Sequence, residues 1–156
     1  MTDQDETLQA GEDILLVEDN PHDVELILRA LRRGTVMPSI RHLRDGAEAL
    51  EFLFGAGLPP RLPRLVLLDL KLPKVDGLEV LRRIKGDPRT RAVPVVMLTS
   101  SSEESDMRRS YALGVNSYVV KPVNYDEFVS AVRHVGQYWL GMNRTGGEPA
   151  GEDVRR

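Results

Sequence analysis

Ile14-Leu-Leu-Val17-Glu18-Asp19 is a short apolar run closed by two carboxylates, and Leu65-Val-Leu-Leu68-Asp69 repeats the arrangement later in the chain. Apolar runs this short, without polar alternation, read as strands buried on both faces, as in a parallel sheet. As neighbouring strands, the two runs bring Glu18, Asp19 and Asp69 together at the C-terminal edge of the sheet, where diverging loops leave a ligand crevice. Crowded carboxylates repel one another and call for a cation. An oxygen-only set without Cys or His suits Mg²⁺, which takes one or two carboxylates, several waters and phosphate oxygens. Singly, the motifs have plainer explanations. Glu18-Asp19-Asn20-Pro21 also reads as strand-end solvation with a helix cap, and Asp69 as a turn acid. Their joint occurrence favours the cation site.

Outward from these two runs, Ser39 to Leu43, Val93 to Leu98 and Tyr118 to Val120 supply further strands. Five strands separated by helical segments predict an α/β fold, a doubly wound five-stranded parallel sheet. The first helix carries Val24, Ile27, Leu28 and Leu31, with Pro21 near its start and Gly34 after its end. The second carries Ala47, Leu50, Leu53 and Phe54 behind Asp45 as N-cap, and the third Leu78, Leu81 and Ile84 after Asp76-Gly77. A fourth is expected from Ser102 to Leu113 on a thin apolar face of Met107, Tyr111 and Leu113, so its movement should cost little. The fifth is expected over Tyr125 to Leu140, with Phe128, Val132, Val135 and Trp139 on one stripe. Proline-rich Gly55 to Arg64 reads as an ordered connection.

The 156 residues fit one domain, expected over residues 12–141, between polar tails at 1–11 and 142–156 that should be disordered. The absence of cysteine excludes disulfides and thiolate zinc sites. No apolar stretch approaches a membrane helix and the acidic, polar N-terminal stretch lacks a signal peptide's basic and apolar regions, so a cytoplasmic protein without membrane contact is expected. A net charge of −3 with scattered basic residues argues against direct nucleic-acid binding. Arg29, Arg32 and Arg33 suit the C-terminal end of a helix, where cations meet the negative dipole end.

Two further strand ends carry groups useful to phosphate chemistry, Thr99 and Lys121. Thr99 offers a hydroxyl donor and Lys121 a positive charge; with Mg²⁺ they would hold the oxygens of a phosphoryl group on Asp69. Alone, Thr99 also reads as a helix cap and Lys121 as a solvated charge. Pro122 is either a simple turn proline or a cis residue that aims Lys121 inward.

Together, ILLVEDNP, LVLLDLKLPKVDG, PVVMLTS and SYVVKP resemble, in order and spacing, the receiver domain of two-component response regulators over about residues 12–140. The long loop before the third strand and the text around SSSEESDMRRSYALGVNSYVVKPV are similar to the phytochrome-associated, single-domain branch. The resemblance implies a flavodoxin-like (βα)5 fold. It also implies Asp69 as phosphoacceptor and Mg²⁺ ligated by Asp19, Asp69 and the Lys71 backbone carbonyl, with Glu18 acting mainly through water. Thr99 would bond the phosphoryl group, Lys121 would pair with it, and Tyr118 would be the aromatic switch; Tyr118 also reads as an ordinary edge-strand tyrosine. The implied partners are a histidine kinase, of bacteriophytochrome type in the finer assignment, and an unknown downstream protein. The implied chemistry is self-catalysed phosphorylation and dephosphorylation rather than turnover of other substrates, with signalling through the face of helix 4, strand 5 and helix 5.

Lys71 departs from the small or amide side chain frequent at that place in the family. It is either a solvent-facing lysine or a cation that alters the lifetime of the phosphate, a property Ser101 could also set. His22, His42 and His134 show no ligand spacing and read as structural. Tyr138, Trp139 and Leu140 read either as end-of-helix packing or as a homodimer contact. Two other classes fit parts of the pattern. A Mg-dependent phosphohydrolase would carry a second Asp where Lys71 stands, and a phosphorylation-independent adaptor would not need the intact set Asp19, Asp69, Thr99 and Lys121.

Overall fold

In the computed structural model, residues 13–33 and 37–143 are described. The order is β1 (Ile14–Val17), α1 (Pro21–Leu31), β2 (Ile40–Leu43), α2 (Gly46–Phe54), β3 (Leu65–Leu68), α3 (Gly77–Gly86), β4 (Val95–Thr99), α4 (Glu104–Ala112), β5 (Ser117–Val120) and α5 (Tyr125–Gln137). The strands form one sheet in the order β2-β1-β3-β4-β5, every pairing parallel. The chain therefore winds outward from β1 in both directions, and the switch point falls between β1 and β3.

Burial follows position in the sheet. Every residue of β1, β3 and β4 is buried, whereas edge strands β2 and β5 are mostly half-buried. Alternate side chains feed two layers. Leu15, Val17, Val66, Leu68, Val95 and Met97 pack with Ala49 and Leu53 of α2 and Leu78, Leu81 and Ile84 of α3. Ile14, Leu16, Leu65, Leu67, Val96 and Leu98 pack on the other face with Ile27 and Ala30 of α1 and Phe128 and Val132 of α5. Full burial of such a side chain contributes about 1.5–3 kcal/mol, so the three central strands anchor the fold.

The expected helix starts hold for the first three helices. Asn20, Asp45 and Asp76 accept hydrogen bonds from the backbone N–H groups of Asp23, Glu48 and Glu79, and Pro21 occupies the first turn of α1. Gly34 lies outside the described residues. In the Gly55 to Arg64 connection, Pro63 is buried and Leu62 packs against the α2/α3 layer.

Three expectations are corrected. Helix α4 begins at Glu104, not Ser102, because the Ser101 hydroxyl takes the Glu103 N–H and keeps the preceding residues out of the helix. Its buried face carries Asp106 and Ser110, while Tyr111 is exposed. Regular α5 ends at Gln137, and the chain continues through a wider turn over Tyr138–Met142, closed by the Asn143 N–H on the Tyr138 carbonyl. Met142 and Asn143, expected in the C-terminal tail, thus belong to this turn and its closing bond; residues 1–12 and 144–156, which hold the rest of the expected tails, lie outside the described residues.

Candidate functional site

Register assembles the acidic edge. Val17 pairs with Leu68, so Glu18 and Asp69 leave adjacent strands side by side, and the Asp69 N–H bonds the Val17 carbonyl at 3.1 Å. Glu18 and Asp69 are buried and Asp19 is exposed, and carboxylate oxygens of all three lie within 4.8 Å of one another. Thr99 pairs with Val120 across β4 and β5, which brings Lys121 to the same edge with its N–H on the Thr99 carbonyl at 2.7 Å.

The Lys121 side chain runs back over the strand ends. Its Nζ stands 2.8 Å from Glu18, 2.8 Å from Asp23 and 3.4 Å from Asp69. No cis peptide bond occurs among the described residues, so Lys121 reaches inward across a trans bond to Pro122. Burial alone would lower the lysine, but hydrogen bonds to Asp23 and Glu18, with the charges of Asp69 and Glu18, hold it above its ordinary value. For Glu18, burial first and the Asp69 charge second outweigh the pull of Lys121 and push the carboxyl up to about 7. The cluster therefore gathers four acids, Glu18, Asp19, Asp23 and Asp69, around a single cation, Lys121.

Asp23 is the member that reading the sequence missed. It stands in the first turn of α1, and that helix begins directly beyond the acidic end of β1. An acid three residues after an N-cap at a ligand edge was the available signal.

The glycine at the start of α3 fits the site closely. A Cβ on Gly77 would fall 2.2 Å from the Asp69 carbonyl oxygen and 2.8 Å from Leu70 Cα. Close approach of helix α3 to the backbone that presents Asp69 therefore requires glycine. Lys74, in the connection before it, takes the left-handed conformation (φ 70°), and the Val75 N–H bonds Pro73 O at 2.8 Å in a tight turn.

Thr99 is buried at the end of β4, and its Oγ1 accepts the Ser101 N–H at 3.3 Å. The Tyr118 hydroxyl donates to the Ser101 carbonyl at 3.0 Å, so the expected switch tyrosine rests against the β4–α4 connection. Lys71 is exposed just past Asp69. His42 Nε2 lies 2.8 Å from the Glu18 carbonyl, a structural contact in keeping with the reading of the histidines.

Tyr138, Trp139 and Leu140 stand apart from this cluster. The Leu140 carbonyl accepts from Arg64, which precedes β3, so these residues lie toward the N-terminal edge of the sheet. Trp139 and Leu140 pack against the α1/α5 layer, while Tyr138 remains 46% exposed. A cavity of about 290 Å³ near them, lined by residues including Asp13, Leu31, Arg64, Arg133 and Leu140, is remote from the acids.

Residues 14–133 match the response regulator receiver domain. The chain belongs to that family. Receiver domains are the response-regulator components of two-component signalling, and the doubly wound sheet is their flavodoxin-like fold. Among curated relatives, the probable methanogenesis regulatory protein FilR2 of Methanothrix harundinacea is 50% identical over 135 residues, 86% of this chain and 87% of that protein. Response regulator Rcp1 of Synechocystis is 43% identical over 129 residues, covering 81% of this chain and 88% of its own. The Mn²⁺-bound structure of Rcp1 superposes with a TM-score of 0.79 at 37% identity, covering 88% of this chain and all of that one. The phosphorylated cyanobacterial phytochrome response regulator RcpA superposes at 0.81 with 40% identity, covering 87% and 99% of the two chains. This receiver thus shares its fold and much of its sequence with a phosphorylated phytochrome response regulator. Among the described residues, no helix is long and apolar enough to cross a membrane.

Proposed function

We propose that this receiver accepts a phosphoryl group on Asp69 from a partner histidine kinase and relays the event through its α4–β5–α5 face. The observation that carries the reading is the convergence of Glu18, Asp19, Asp69 and Lys121 at one sheet edge. The donor set fits Mg²⁺: it is all oxygen, and exposed Asp19 leaves the cluster open to the waters that ion retains. Asp19, Asp69 and the Lys71 carbonyl would hold the ion, with Glu18 reaching it through water. When bound, the ion supplies positive charge and alignment for the phosphate oxygens.

The chain's own groups supply the rest. Asp69 is the nucleophile: one carboxylate oxygen forms the P–O bond as the P–N bond to the donor imidazole breaks, giving an acyl phosphate. Lys121, already 3.4 Å from Asp69, pairs with the incoming oxygens, and the Thr99 hydroxyl donates to them. The added charge, roughly 1.5 to 2 negative units, draws these groups inward and shifts the lightly packed α4.

The relationship to Rcp1 and RcpA supports a kinase of the bacteriophytochrome type, with a cytoplasmic setting. Exposed Tyr138, its ring edge-on to Trp139 with centroids 5.0 Å apart, supports a contact with a second copy. Sedimentation showing a monomer at high concentration, with and without beryllofluoride, would exclude that contact.

Acetyl phosphate with Mg²⁺ tests the central reading. The expected product is an acid-stable, base-labile adduct on the full chain, absent in Asp69→Asn. Sustained release of phosphate from many phosphoesters would indicate a hydrolase, and the absence of both results would leave an adaptor.

A further inference from the structure

Asp106 is a buried carboxylate that the phosphoacceptor chemistry does not use. It sits in the first turn of α4, and its Oδ2 accepts the Ser101 hydroxyl at 2.6 Å. Arg109, its ion-pair partner, approaches only to 3.9 Å and is itself 65% exposed. The residue's main tie is thus to Ser101.

Ser101 is a junction. Its N–H donates to Thr99 Oγ1, its carbonyl accepts Tyr118 Oη, and its hydroxyl accepts the Glu103 N–H while donating to Asp106. Ser110, one turn further along α4, donates to the Asp106 carbonyl at 2.8 Å. Glu103, at the N-cap of α4, makes no side-chain capping bond, so the Ser101 hydroxyl is what ties the connection to the helix start.

We propose that Asp106 is a positioning residue which, through the Ser101 hydroxyl, holds the β4–α4 connection in the conformation that receives Tyr118. The pair is a latch between the buried threonine, the tyrosine of the edge strand and the first turn of α4. A Thr99 hydroxyl turned toward a phosphoryl group would release the Ser101 N–H, and the Ser101 hydroxyl, bonded to both Glu103 and Asp106, would carry the displacement to the start of α4. That switching role rests on the phosphoacceptor reading; the latch itself is read in the resting protein.

Fluorotyrosine incorporated into the full chain, with the Tyr118 resonance assigned by Tyr118→Phe, reads the tyrosine directly by ¹⁹F NMR in EDTA. Ser101→Ala and Asp106→Ala are expected to move that resonance toward the position of solvent-exposed tyrosine. Ser101→Thr keeps a hydroxyl and Asp106→Asn keeps an acceptor oxygen, so both should leave it in place. A Tyr118 resonance unchanged in Ser101→Ala would overturn the latch, as would equal shifts in Asp106→Asn and Asp106→Ala. Ser101 lies outside the helices and core layers, so its alanine variant carries the test even if Asp106→Ala unfolds. No phosphoryl donor is present in these measurements. Failure of the acetyl phosphate adduct would therefore remove the phosphoacceptor reading without touching the latch, and the converse also holds.

Discussion

Asp23 and Lys121, 98 positions apart in sequence, form a 2.8 Å ion pair at the acidic edge. Lys121 is thereby held by one acid from α1 and one from β1's end at shorter range than by Asp69. The resting lysine is tethered beside the acceptor rather than on it.

Asp23→Asn keeps an acceptor oxygen but removes the charge, and should lower the stability of the metal-free protein by about 1 kcal/mol. Asp23→Leu removes the acceptor as well and should cost more, about 3 kcal/mol. Urea midpoints in EDTA measure both. Because Asp23 is outside the acid triad, the asparagine variant should still form the acetyl phosphate adduct. Loss of the adduct would make Asp23 part of the reacting group.

Asp69→Asn should move stability the other way. The charge of Asp69 is the second cause, after burial, of the raised Glu18 carboxyl, so removing it relieves repulsion between two buried acids. A gain of about 1 kcal/mol in EDTA is expected, together with loss of the adduct, since functional sites commonly hold groups that oppose stability. A destabilised Asp69→Asn would show that Lys121 depends on Asp69 more than the distances imply.

Most of this architecture was readable because the strands are short and uninterrupted. Ile14 to Val17 and Leu65 to Leu68 read as strands buried on both faces, and their ends fixed the acid cluster once adjacency was granted. The α4 face was read only in part: Leu113 packs on the α2/α3 layer and Met107 is half-buried, but periodicity follows apolar residues, and the fully buried positions are Asp106 and Ser110, satisfied by hydrogen bonds that no spacing rule reveals. Asp23 was hidden for a related reason: its partner comes from the far end of the chain. The end of α5 looked continuous through Leu140 because the stripe persists past Gln137 while the backbone bonding widens.

Gly77→Ala tests how tightly α3 braces the acceptor strand. The new Cβ meets backbone atoms of Asp69 and Leu70, which cannot rotate away as a side chain would. Overpacking of this kind costs about 1–3 kcal/mol, and the shift it forces falls on the residue that carries the nucleophile. The variant should therefore lose both thermal stability and adduct yield. Gly86→Ala, whose Cβ would meet nothing within 4 Å, is the matched control and should retain both.

The raised Glu18 carboxyl predicts how stability depends on pH. Its folded value of about 7 lies above the ordinary 4.5, so the folded protein binds a proton there more tightly than the unfolded chain does. The corresponding stabilisation is fully present below about pH 4.5 and is lost as pH rises through about 7. In EDTA the Glu18 contribution should thus lower Tm progressively across that window, by several degrees in total. Glu18→Gln is neutral throughout and removes this contribution. The difference in Tm between wild type and Glu18→Gln should fall as pH rises from 4.5 to 7.5, with the glutamine variant relatively more stable at the upper end. A difference that stays flat across the window would mean that Glu18 is ionised throughout, with Lys121 outweighing burial and the Asp69 charge together.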